Sequence, residues 1–248
     1  MYRDRPGQTF AAGTNAVGVT APATRWLFAE GATGPMFDTF VLAANPGDAS
    51  VRIQARFDLV TRQGQAATVV RSYDVAPRSR LTIWLDDVDP LLADAEVVTT
   101  LDATGLIVAE RAMWWPGTAD AWLEGHVEFG ATAGALRFGV VDAETDDLTM
   151  TETFLLVGAV HPDGPLPSLR VTAYPTSGAP ITRDVTAAAG RTTIWLRQTF
   201  PELRGHVAVV VESVAAPVAV PIVVERAVYS RGFAAGAAAR ATALPTPP

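Results

Sequence analysis

The sequence predicts an all-β chain made of two tandem, diverged sandwich modules. Three observations carry that prediction. One set of residue blocks recurs along the chain, apolar and polar residues alternate with a period of two, and turn residues separate the runs with no long helical period between them.

The duplication comes first. Arg80-Leu81-Thr82-Ile83-Trp84-Leu85 returns as Arg191-Thr192-Thr193-Ile194-Trp195-Leu196, and Pro90 and Leu92 fall on Pro201 and Leu203. Upstream, Phe40-Val41-Leu42 matches Phe154-Leu155-Leu156. Downstream, Val108-Ala109-Glu110-Arg111-Ala112-Met113-Trp114 matches Val223-Val224-Glu225-Arg226-Ala227-Val228-Tyr229. Four blocks in one order are hard to obtain by chance. A third, partial copy opens the chain, because Met1-Tyr2 aligns with Met113-Trp114 and residues 12–20 align with 124–132. The expected organisation is therefore a strand segment at 1–22 resembling the end of a preceding module, modules at 23–132 and 133–243, and a Pro-rich tail at 244–248. The expectation from this opening segment is a longer array, or a first strand that completes a neighbouring module.

Within each module the local signals are strand and turn. Val51-Arg52-Ile53-Gln54-Ala55-Arg56-Phe57 alternates, as does Leu169-Arg170-Val171-Thr172-Ala173-Tyr174. Asn45-Pro46-Gly47-Asp48, His161-Pro162-Asp163-Gly164 and Ser177-Gly178 supply turn chemistry between runs. The helix-like pieces are short, at 88–93 and 199–203, between the Trp84 or Trp195 strand and the next β-branched run. This spacing fits an immunoglobulin-like sandwich better than an α/β fold.

Composition bounds the rest. A chain of 248 residues has room for two domains of about 110–120 residues. The net charge is −7, every one of the 19 cationic side chains is Arg, and no basic block occurs, which argues against nucleic acid and anionic membrane as partners. With no cysteine there is no disulfide, thiolate metal site or Cys nucleophile. No apolar run approaches the ~18 residues of a bilayer span, so no membrane insertion is expected of this segment. The polar N-terminal residues do not read as a signal peptide.

The first copy carries Trp26-Leu27-Phe28-Ala29-Glu30-Gly31-Ala32-Thr33-Gly34, then Phe37-Asp38-Thr39-Phe40-Val41-Leu42-Ala43-Ala44-Asn45-Pro46, and closes on Glu110-Arg111-Ala112-Met113-Trp114. This pattern resembles a repeat family of large secreted and surface-attached bacterial proteins. The resemblance implies a β-sandwich used in tandem arrays and no catalytic residues. The second copy opens on Phe138-Gly139-Val140-Val141-Asp142 and lacks the Glu-Gly-x-Thr-Gly loop, keeping the middle and Glu225-Arg226-Ala227.

Candidate chemistry is sparse. No nucleophile elbow, zinc-helix motif or phosphate loop is present, and His126, His161 and His206 are expected on the surface or at strand ends. Strand neighbours point to opposite faces, so Glu110 and Arg111, like Glu225 and Arg226, cannot bridge each other, and a buried member needs a partner from elsewhere. Glu30 is one candidate for Arg111, and the role expected for these residues is structural. Trp84 and Trp195 occupy one repeat position and are also expected to be structural. Asp142, Glu144, Asp146 and Asp147 are weak calcium candidates, lacking the glycine and terminal Glu of a calcium loop. No other cofactor is expected. Trp114, Trp115, Trp122 and Tyr229 are candidates for a ligand or partner surface, with only one of Trp114 and Trp115 able to enter the core.

The function expected is a non-enzymatic spacer or assembly module at the cell exterior, packing against neighbouring modules or like subunits by strand or face. A binding module for cell-surface glycan is the first alternative, and an accessory domain of a secreted hydrolase the second.

Overall fold

The computed structural model describes residues 2–5, 8–14, 16–116, 122–214 and 218–245, with backbone alone for residues 2–13. The chain is all-β and forms two compact units, Met1–Ala133 and Gly134–Pro248. Among the described residues no helix is long and apolar enough to cross a membrane.

The first unit opens with a hairpin of β1 (Tyr2–Arg5) and β2 (Gln8–Gly13). Then follow β3 (Ala23–Phe28), β4 (Asp38–Asn45), β5 (Val51–Thr61), β6 (Ala66–Val75), β7 (Ser79–Trp84), β8 (Ala95–Trp115) and β9 (Glu124–Phe129). The 21-residue β8 serves both layers. Its first half pairs with β5 and β3, and its second half pairs with β4 and β9, while β6 and β7 extend the two layers outward. A strand that changes layers must bend. Gly105 sits in that stretch, where an added Cβ would lie 2.8 Å from Val51 Cγ2.

The layers close on one core. On β5 burial alternates as the sequence does: Val51, Ile53, Ala55 and Phe57 are buried, while Arg52 and Gln54 are exposed. They meet Trp26, Phe28, Val41, Ile83, Val97, Leu101 and Ile107. Such burial of large apolar side chains contributes about 1.5–3 kcal/mol each. The Asn-Pro turn is tied to this frame. Asn45 is buried, its amide donates to the carbonyls of Ala49, Val75 and Ala76, and its side-chain oxygen accepts from Gly47 N. The short helical turns lie at Leu85–Asp87 and Pro90–Leu92, one beginning directly after Trp84 because Leu85 must turn into the core. The second turn falls inside the expected 88–93 stretch, and the first precedes it.

The second unit comprises β10 (Arg137–Thr145), β11 (Glu152–Ala159), β12 (Ser168–Pro175), β13 (Ile181–Thr186), β14 (Arg191–Trp195), α1 (Leu196–Thr199), β15 (Gly205–Val214), β16 (Ile222–Ser230), β17 (Ala235–Arg240) and β18 (Thr242–Ala243). Its sheets run β13-β12-β15-β10-β18 and β14-β11-β16-β17 around Leu155, Leu169, Val171, Ile194, Leu196, Phe200, Val209 and Val224. The span that is one strand in the first unit is two here. Pro221 directly precedes β16, and proline cannot donate to a ladder. The helix begins directly after Trp195, earlier than the 199–203 expected, for the same reason as in the first unit: Leu196 is fully buried.

Both ends differ from expectation. The opening segment is a hairpin rather than one strand. Its register, Tyr2↔Gly13, recurs as Trp114↔Gly125 between β8 and β9 and as Tyr229↔Gly236 between β16 and β17. At the other end, β18 pairs with β10 and Leu244 N donates to Arg137 O at 2.9 Å, so ordered chain runs through the start of the expected tail. Residues 246–248 of that tail lie outside the described residues.

Candidate functional site

Two polar constellations stand out in the first unit, one on each face of the same sheet. On β8 the side chains of Arg111, Met113 and Trp115 point inward, while Glu110 and Trp114 lie on the outer face, as strand periodicity requires.

The inner constellation joins Arg111, Glu30, His126 and Trp115. Glu30 follows β3, and its carboxylate receives the Arg111 guanidinium through Oε2. His126 on β9 brings Nε2 to 3.6 Å from Glu30 Oε1. Trp115 lies 5.3 Å, centroid to centroid, from the His126 ring and 6.0 Å, edge to face, from Phe37. All four are enclosed, Arg111 at 0% exposure and His126 at 2%. His126 is therefore an interior residue, not the surface or strand-end histidine expected. Burial holds its imidazole down at about 4; the Glu30 carboxylate opposes that push and the Arg111 guanidinium adds to it. A general acid or base must reach substrate, and each of these four side chains is at most 3% exposed.

The second unit lacks the Glu30 loop, and its arginine is served differently. Arg226 donates to the main-chain carbonyl of Asp142 at 2.7 Å and pairs with the Asp142 carboxylate, which is 71% exposed. Glu225 is buried and lies opposite Arg240 on β17. In the first unit Glu110 is only half-buried. Burial, then the Glu128 carboxylate, holds its carboxyl above the ordinary range.

The outer constellation is aromatic and is built on a buried carboxylate. Asp38 and Phe40 share the outer face of β4, with Trp114 opposite Asp38 and Trp84 opposite Phe40. Asp38 accepts from Trp84 Nε1 at 3.0 Å and from Trp122 Nε1 at 2.5 Å. Phe40 stacks on Trp84 at 5.7 Å and meets Trp122 edge to face at 5.5 Å, while Trp122 stacks on Trp114 at 5.7 Å. Gly125 makes room for this, because a Cβ there would lie 2.4 Å from Trp114 Cε3. Trp84 keeps 36% of its surface exposed.

The second unit repeats the arrangement. Phe154 stacks on Trp195 at 5.8 Å and meets Tyr229 edge to face at 6.1 Å, and Tyr229 packs on Phe233 at 4.6 Å. Trp195 Nε1 donates to Glu152 Oε2 at 2.6 Å, and the ring is 37% exposed. The charge beside the platform is reversed between units. Asp86 follows Trp84, whereas Arg197 follows Trp195 and pairs with Glu152 and Asp147. Burial, helped by the nearby Asp38 charge and opposed by the Gly34 amide, pushes Asp86 up to about 6.

These positions correct the surface expectation. Trp115 and Tyr229 are buried and cannot offer a ring face to a ligand, whereas Trp114 and Trp122 are part-exposed members of the outer cluster. Trp84 and Trp195, taken as structural from sequence, are its most exposed rings. Asp38 and Glu152 were missed, although both are acids two residues before the repeated phenylalanine.

The acidic run does not converge. Asp146 accepts from the Leu148 and Thr149 amides, Asp147 pairs with Arg197 and Arg204, Asp142 is taken by Arg226, and the Glu144 main chain bonds Thr153. Among the described residues no group of three or more His or acidic side chains could hold a metal ion.

The two shifted groups give the first unit a pH signature. A lowered histidine contributes stability that is complete above 6.5 and lost as pH falls toward 4, about 3 kcal/mol for His126. A raised carboxyl works in the opposite sense. Asp86 favours the folded state below its ordinary value of 3.8, and that contribution fades as pH rises through about 6. The two offset each other between about pH 4 and 6. Asp86→Asn is therefore expected to steepen the fall in melting temperature on acidification from pH 6.5 to 4. An unaltered pH profile in that variant would contradict this account.

Neither a family model nor a curated protein matches the chain. Solved structures similar to parts of it include that of Thermotoga maritima 1070, at 15% identity and a TM-score of 0.36, covering 44% of this chain and 94% of that one. Another is the Anabaena sensory rhodopsin transducer, at 16% identity and a TM-score of 0.30, covering 38% and 91%. At these scores the likenesses carry no functional argument.

Proposed function

We propose that this chain is a non-enzymatic spacer or assembly segment of a protein at the cell exterior, made of serial sandwich modules. The observation that carries the reading is the hairpin register, met three times along one chain: Tyr2↔Gly13, Trp114↔Gly125 and Tyr229↔Gly236. A unit used repeatedly with its frame intact and its entry loop free to diverge is a scaffold's mode of construction. The closed inner constellation supports this, since an ion pair sealed from solvent can fix register but cannot turn over a substrate. The exterior location is supported by the surface-protein repeat pattern at Trp26–Gly34 and Glu110–Trp114. Folding without cysteine makes the module indifferent to the redox state outside the cell.

Surface display tests the reading. The chain is inserted between an outer-surface anchor and an epitope reporter on a bacterial cell. The expected result is a reporter that stays intact under external protease and is bound by antibody-coated beads more readily than without the insert. Proteolysis within the insert, or unchanged bead access, would sink the proposal.

A further inference from the structure

We propose that the outer aromatic face of each unit is a carbohydrate-binding platform that stacks a pyranose ring of a neutral polysaccharide on Trp84 or Trp195. This goes beyond the spacer role and does not depend on it.

The rings are preorganised. Both indoles are locked through their N–H on a carboxylate, Asp38 or Glu152, and stacked from one side by Phe40 or Phe154. Each leaves more than a third of its surface to solvent. The Asp38 carboxylate, at 3% exposure, accepts from both Trp84 and Trp122, which fixes the two rings relative to each other. A flat ring held still with one face open suits a ligand that is itself flat, with apolar C–H groups on its face.

Charge narrows the ligand class. The aromatic and carboxylate pair is kept in both units while the adjoining residue changes from Asp86 to Arg197. A cationic ligand suited to the first platform would meet Arg197 and Arg204 at the second. An anionic ligand would meet Asp38 and Asp86 at the first. A neutral sugar fits both, because its hydroxyls donate to carboxylates and accept from guanidinium groups. The part-exposed Trp114 and Trp122 extend the apolar surface beside Trp84, which suits a chain rather than a monosaccharide.

The test is affinity electrophoresis of the intact chain in native gels holding hydroxyethylcellulose, xylan, galactomannan or laminarin. Trp84→Ala, Trp195→Ala and the double variant are run beside Trp84→Phe, with melting curves to verify folding. The expected result is retardation by at least one of these polymers, weakened about tenfold or more in the double variant, partly by each single variant, and less by Trp84→Phe than by Trp84→Ala. Migration unchanged by every polymer would overturn the proposal. So would equal retardation in the double variant. If the double variant instead abolishes a self-association seen by sedimentation, with no polymer effect, the face is a contact between copies of the chain and the proposal falls.

Discussion

Replacing Arg111 with methionine is expected to destabilise the first unit by about 3–5 kcal/mol, the usual cost of leaving one member of a buried ion pair without the other. Arg111 is fully enclosed, and the change strands the Glu30 carboxylate at 3% exposure, with His126 Nε2 3.6 Å away. The melting transition of that unit should fall by about 9 °C or more, at roughly 3–5 °C per kcal/mol for a domain of this size. Removing both charges, as Glu30→Leu with Arg111→Met, should recover most of the loss, because the uncompensated charge is what costs. His126 reports the same event by a second route. The Arg111 guanidinium holds the imidazole down and the Glu30 carboxylate pulls it up, so the single Arg111 variant should titrate His126 above its starting value of about 4. Unchanged stability in the single variant, with no movement of the histidine titration, would show that the pair carries no structural role.

Trp115→Ala is expected to cost a similar amount, about 3–5 kcal/mol, by loss of a buried indole and the cavity it leaves. The ring is 1% exposed and packs between Phe37 and His126. It also packs on His126, which faces the Glu30 carboxylate, so its removal loosens one wall of that cluster. The costs of Trp115→Ala and Arg111→Met should then fall short of additivity when combined, measured as a double-mutant cycle in urea. Trp115→Phe should cost far less. A small effect of Trp115→Ala would place the ring outside the core. Because of this burial, Trp115 is unsuitable for probing ligand binding, and Trp84 and Trp195 take that place.

The fold was legible where the physics is local or periodic. Alternation on β5 and β12 announced half-buried strands, and the recurrence of Ile83-Trp84 as Ile194-Trp195 announced a repeated frame. Strand parity alone required Glu110 and Arg111 to face apart, so a buried Arg111 needed a partner from elsewhere, of which Glu30 was one candidate. What was not legible depends on contacts distant in sequence. His126 has Thr14 and Ala237 at the corresponding repeat positions, so nothing in the chain marked it for burial. The choice between Trp114 and Trp115 turns on which face of β8 meets the core, and parity gives two faces without naming the inner one. Asp38 and Glu152 were readable as repeated acids, but their role appears only when cross-strand pairing brings the Trp84 and Trp195 indoles to them. The acidic run at 142–147 looked like a ligand loop because its arginine partners, Arg197, Arg204 and Arg226, lie on other elements.

The central claim is that two self-sufficient modules of one design share this chain, each with its own core. Differential scanning calorimetry of the intact chain and its Arg111→Met variant tests it most directly. Two transitions are expected, of which the substitution lowers one and leaves the other, belonging to residues 134–248, within about 1 °C of its position. A single transition that moves as a whole would contradict the claim.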